Sequence, residues 1–140
     1  MKVLFDTNVV LDFLLGRQPH LRDAARLMDG VDRGEIKGLL CATTVTTVDY
    51  VATKSIGRRQ TTKFMRELLT MFQVAAVDGG VLIKALDIGF PDYADAILHE
   101  AARLAGASGI VTRNRRDFSH STLPIYDPSE LVALVLGSKS

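Results

Sequence analysis

The feature that most constrains this chain is an alternation: short apolar runs, too short for helices, are separated by segments with apolar residues at three- and four-residue steps. The runs are Val3–Phe5, Lys37–Ala42, Gln73–Val77, Ser108–Thr112 and Leu123–Tyr126. Between them, helical spacing predicts helices over Val9–Leu15, about His20–Arg33, Val45–Ala52, Thr61–Phe72, Val81–Ile88 and Asp92–Ala105, with Gly57 as a break. One helical turn is expected at Arg113–Phe118, and a last helix starts at Asp127-Pro128 and runs to Val135. Thr43-Thr44 reads as a helix cap and Asp78-Gly79-Gly80 as a turn. Strands alternating with amphipathic helices define an α/β fold, a three-layer α/β/α sandwich around a central, mostly parallel sheet of about five short strands. No repeat or linker interrupts it, so residues 1–136 read as a single domain followed by a polar tail, 137–140.

At 140 residues, 47% hydrophobic and 24% charged, the chain can bury one sizeable core. The single cysteine, Cys41, excludes an internal disulfide and a Cys-cluster metal site, and its apolar neighbours predict a buried hydrophobe. Neither a cleavable apolar leader nor a membrane-length apolar run is seen, so a cytoplasmic location with no membrane association is expected.

In an open parallel sheet, ligands gather beyond the carboxyl ends of the strands. Asp6 directly follows the first strand, Asp92 and Asp95 open the helix before the fourth, and Asn114 and Asp117 follow the fourth. Each aspartate also has a plain structural use. Asp6 and Asp92 are good helix caps, and Asp95 suits a first helical turn. Asp92 and Asp95, three apart, share a helix face, where two like charges are costly unless a cation answers them. Hard oxygen donors, with His20, His99 and His120 scattered, suit Mg²⁺ or Mn²⁺ rather than zinc, and such an ion can activate water for phosphodiester hydrolysis. No P-loop, GxGxxG or Ser-His-Asp arrangement is present.

A net charge of +1 makes the whole molecule no polycation, so a nucleic acid would have to be held locally. Two basic clusters are available: Lys54, Arg58, Arg59 and Lys63, and Arg113 with Arg115 and Arg116. Solvated surface is the simpler account of such clusters.

Taken together, Asp6-Thr7-Asn8, Pro91-Asp92-Tyr93-Ala94-Asp95-Ala96 and Ile110-Val111-Thr112-Arg113-Asn114-Arg115-Arg116-Asp117-Phe118 resemble a PIN domain, and within that superfamily the VapC-like toxins of toxin–antitoxin pairs. The resemblance covers Val3 to about Leu134. It implies a metal-dependent endoribonuclease whose acids hold Mg²⁺, or Mn²⁺ as a substitute, against RNA, with a cognate antitoxin and a homodimer as partners. Carried over by position, it makes Asp6 and Asp95 metal ligands and places Asp92 and Asp117 among the catalytic acids. Thr7, Asn8, Thr112 and Asn114 would support them, and Arg113, Arg115 and Arg116 are candidate RNA contacts.

One position departs from the pattern. Many PIN domains carry a glutamate where this chain has Thr47, and Asp49 lies about 200° round the helix from it. That leaves a rival expectation standing, a catalytically weak RNA-binding or scaffold protein of the same fold; another metal-dependent phosphoesterase is a second, because a carboxylate cluster alone does not choose the phosphoester.

Overall fold

The computed structural model describes residues 1–137; all but Gly137 of the polar tail predicted at 137–140 lies outside the described residues. In chain order the elements are β1 (Lys2–Phe5), α1 (Thr7–Leu14), α2 (Leu21–Asp32), β2 (Lys37–Cys41), α3 (Ala42–Met71), β3 (Gln73–Ala75), α4 (Gly79–Ala85), α5 (Tyr93–Leu104), β4 (Gly109–Val111), a 3₁₀ turn (Arg115–Phe118), β5 (Ile125–Tyr126) and α6 (Pro128–Val135). The five strands form one sheet in the order β3-β2-β1-β4-β5, and every pairing is parallel.

Alternate residues of the central strands point to opposite faces, and both faces are covered, which is why the runs are apolar throughout. Val3, Phe5, Leu40 and Val111 join a core with α1, α2, α3 and α6, while Leu4, Leu39, Cys41 and Ile110 join a second core with α4 and α5. The result is the expected three layers. Cys41 is fully buried. On β2, Gly38 lacks the Cβ that would lie 2.5 Å from Phe72 Cε2, and that space lets Phe72 pack edge-on against Phe5 at 5.0 Å.

The element ends differ in instructive ways. β2 runs straight into α3, so the cap position is Cys41 and not Thr43-Thr44; Thr43 Oγ1 meets Cys41 Sγ at 3.2 Å and Thr44 turns inward. Asp78-Gly79-Gly80 is the start of α4, with Asp78 accepting from the Val81 amide at 3.0 Å. The two helices predicted on either side of Gly57 are halves of α3 joined at a kink, where Gly57 takes φ 85°, a conformation L side chains rarely adopt. Asp127 and Pro128 start α6 as expected, with Glu130 completing a capping box.

The sheet order carries the functional consequence. The chain leaves β1 toward β2 and β3, then returns to place β4 on β1's other side. That reversal opens a crevice at the carboxyl ends of β1 and β4.

Candidate active site

Asp6 stands at this crevice. Its backbone N–H donates to Val111 O at 3.0 Å, so the residue is tied to the end of β4 while its side chain caps α1 by accepting from the Thr7 amide at 2.7 Å. The same carboxylate accepts from Thr112 Oγ1 at 2.7 Å and from Asn8 Nδ2 at 3.4 Å. Capping and site membership are therefore one arrangement. With Asp6 only 8% exposed, burial raises its pKa despite the Thr112 and Thr7 hydrogen bonds; the Asp117 charge pushes it the same way and Arg113 opposes.

Across the crevice α5 begins. Asp92 is its N-cap, accepting from the Asp95 amide at 3.1 Å, and that bond fixes the first turn so that Asp95 is presented to the acids of the other elements. Burial, and then the charges of Asp6, Asp92 and Asp117 in that order, push the Asp95 carboxyl up to about 7. No basic group is among the causes. Four aspartates from three segments thus share one electrostatic environment.

The supporting residues occupy the same edge. Asn8 Nδ2 lies 3.4 Å from Thr112 Oγ1, the Asn114 amide donates to Thr112 Oγ1 at 3.0 Å, and Thr7 Oγ1 reaches Thr44 Oγ1 of α3 at 3.3 Å. Thr44 went unrecognised in the sequence except as a possible cap. Thr47, one turn further along α3, is exposed and spends its hydroxyl on Thr43 O at 3.1 Å. Asp49 binds Arg58 through both carboxylate oxygens, and those hydrogen bonds hold its pKa below the usual value. It is committed to the far side of the Gly57 kink.

The three arginines after β4 diverge. Arg113 is folded back onto Asp12 of α1, Arg115 pairs with Glu130 at 2.9 Å, and Arg116 is exposed with no ion-pair partner among the described residues. With Asn114 and Asp117 they line an open depression of about 550 Å³ beside the acids. Asp12 was not singled out beforehand. Its signal was an acid within the apolar stretch Val9-Val10-Leu11…Phe13-Leu14, a place that demands a cationic partner.

The donor set fits a hard divalent cation, since the carboxylates supply oxygen and Asp95 lacks the compensating charge such an ion brings. Among the described residues no three His, Cys, Asp or Glu side chains close into a preformed cage. A magnesium-like ion is commonly held by one or two carboxylates with water and phosphate in the remaining positions, which matches this open arrangement.

The sequence matches the family model described as "PIN domain" over residues 2–116, and the chain belongs to that family. Its fold is shared by solved toxin–antitoxin structures. VapBC2 from Rickettsia felis, bound to a DNA fragment from its promoter, aligns with a TM-score of 0.70 at 12% identity, covering 91% of this chain and 98% of that one. A toxin–antitoxin complex from Klebsiella pneumoniae aligns with a TM-score of 0.68 at 22% identity over 90% and 97% of the two chains. VapC20 of Mycobacterium tuberculosis, a sarcin–ricin loop cleaving toxin, aligns with a TM-score of 0.61 at 14% identity over 77% and 86%. No curated protein matches the chain by sequence.

Proposed function

We propose that the chain is a divalent-metal-dependent endoribonuclease and the toxin of a toxin–antitoxin pair, acting in the cytoplasm. The observation that carries this reading is the meeting of Asp6, held by Thr112 at the end of β4, with Asp92 and Asp95 at the start of α5, at the β1/β4 crevice of a PIN fold. Asp6 and Asp95 would hold Mg²⁺, or Mn²⁺ in its place, with Asp92 fixing Asp95 and Asp117 adding charge. When bound, such an ion neutralises the acids and lowers the pKa of coordinated water. Thr112, Thr7 and Asn8 keep the Asp6 carboxylate oriented. Arg116 and Arg115, in the depression beside the acids, offset the repulsion of an RNA backbone; the Arg115–Glu130 pair is exposed and weak enough to yield to a phosphate.

Support for RNA comes from the sarcin–ricin loop cleaving neighbour, and support for an antitoxin from the toxin–antitoxin complexes. A docking place for an antitoxin segment is available in a groove of about 360 Å³ lined by Phe13, Met28, Phe64, Leu68 and Met71, with Asp29, Asp32 and Glu67 along its sides. An apolar segment flanked by lysine or arginine complements it. Exposed Ile83 and Leu86, with Leu82 and Tyr93 beside them, form an apolar patch suited to a homodimer. No described helix is long and apolar enough to cross a membrane.

The test is cleavage of RNA by the purified protein with Mg²⁺ or Mn²⁺ and with chelator. Asp6→Asn and Asp95→Asn should reduce cleavage to background while melting as cooperatively as the parent; full activity in either removes the assignment. Arg115→Ala with Arg116→Ala should flatten the slope of RNA affinity against salt by about one to two phosphate contacts. An unchanged slope makes the patch ordinary surface. Thr47 favours a second reading, a binding protein with little activity, and that reading predicts RNA retention with no metal-dependent cleavage.

A further inference from the structure

Arg113 does not point where a substrate-binding arginine should. Its Nε lies 2.5 Å from Asp12 Oδ2 and its Nη2 3.2 Å from Oδ1, a two-pronged grip on a carboxylate only 1% exposed. Arg17 adds a weaker approach to Asp12 from outside at 3.8 Å. A buried aspartate is costly, and a buried ion pair rarely adds net stability over apolar packing, so the arrangement calls for a purpose other than stability.

The other end of Arg113 is fixed as well. Its backbone N–H donates to Asn8 Oδ1 at 3.3 Å, so one residue is held to α1 at Asn8 and at Asp12, four residues apart on the same helix face. Its neighbours do site work: Thr112 donates to Asp6 and receives the Asn114 amide, and Asp117, four residues after Arg113, acts electrically on both Asp6 and Asp95. α1 therefore carries Asp6 at its cap and, two and six residues further on, the two anchors for the loop that faces Asp6.

We propose that the buried Asp12 and the partly exposed Arg113 form a clamp that sets the geometry of loop 112–117 against Asp6, so that both are positioning residues and Arg113 is not an RNA contact. The clamp rests on the ribonuclease reading for its benefit, but not for its mechanics. An arginine fork suits the task because it holds both oxygens of a carboxylate in one plane, which a lysine cannot do.

The experiment uses the full chain with two variants, Asp12→Asn, which keeps the volume, and Arg113→Lys, which keeps the charge and loses the fork. Three readouts are taken: amide hydrogen exchange, Mn²⁺ affinity by calorimetry, and kcat and KM for an RNA substrate. Both variants should speed exchange of the 113–117 amides about tenfold while the strands keep parental protection. Mn²⁺ affinity or kcat should fall about tenfold to a hundredfold, as for other supports of a metal site, with KM and its salt dependence unchanged. Parental exchange and kcat in both variants overturns the clamp. So does exchange that quickens evenly through the whole chain, or a loss of cooperative melting in both, because either makes the pair a general stabiliser. A raised KM with a flatter salt slope in Arg113→Lys returns Arg113 to RNA contact. If the parent shows no metal-dependent cleavage the ribonuclease reading fails, and exchange alone then judges the clamp.

Discussion

Acidic side chains are taken out of water at both ends of α5, and the two ends treat them differently. At the C-terminal end Glu100, 1% exposed, is answered by Arg103, whose guanidinium makes two hydrogen bonds to it and holds its pKa below the usual value. His99 lies beside it, tilted against Phe90 with ring centres 5.1 Å apart and accepting the Thr122 amide through Nε2 at 3.2 Å. At the N-terminal end Asp95 faces three further aspartates and its pKa rises. One end is closed electrostatically by the protein itself; the other is left for something from solution. The difference teaches that burial of an acid is no mark of function, whereas burial without a counter-charge is one.

The contrast is broken most directly at the closed end. Arg103→Ala should strand Glu100 in the interior and lower Tm by roughly 5–10 °C, with Glu100→Gln in the same background recovering part of the loss. A Tm unchanged in Arg103→Ala would mean that the two ends are not electrostatically distinct.

The open end makes the opposite claim about pH. Asp95 titrates near 7 when folded and near 3.8 in the ordinary case, so between those values the folded protein holds more protons than the unfolded chain. Its contribution to stability is present at low pH and is lost as pH rises toward 7. In chelator, Tm of the parent should therefore fall by about 3 °C or more between pH 5.5 and 7.5 relative to Asp95→Asn, and Mn²⁺ at pH 7.5 should restore it. Parallel curves for the two proteins would show that Asp95 carries no uncompensated charge.

The smallest effect sharpens the boundary of the open end. Thr47→Glu adds a carboxylate one turn beyond Thr44 and should tighten the Mn²⁺ dependence of cleavage by about tenfold, whereas Asp49→Asn, already neutralised by Arg58, should leave it unchanged. Loss of activity in Asp49→Asn with no gain in Thr47→Glu would place Asp49, not Thr47, at the ion.

Much of this was legible in the chain because local and global signals agree. The apolar runs of β1, β2 and β4 became buried strands since both faces of the sheet are covered, while the edge strands β3 and β5 stay partly exposed, and Asp92 and Asp127 became caps because an aspartate carboxylate reaches the first free amides of its own helix. Less legible was whatever depends on partners distant in sequence. The cap at the start of α3 shifted because β2 leads into it without a turn, and Arg113 went to Asp12, 101 residues away, where sequence proximity to Arg115 and Arg116 had grouped it with a surface patch. Thr44 escaped notice for the same reason, since its link to Thr7 spans 37 positions.

The place of β4 beside β1 also fixes when the crevice can exist. Asp6 needs the carbonyl of Val111 for its amide and the hydroxyl of Thr112 for its carboxylate, both 105 or more residues downstream. During synthesis from the N-terminus, β1, β2 and β3 can pair while that side of β1 is still bare, and Asp95 has no loop 112–117 opposite it. The acidic edge is thus assembled only in chains extended past β4, and a nascent or truncated product that stops short of it carries Asp6, Asp92 and Asp95 without the site.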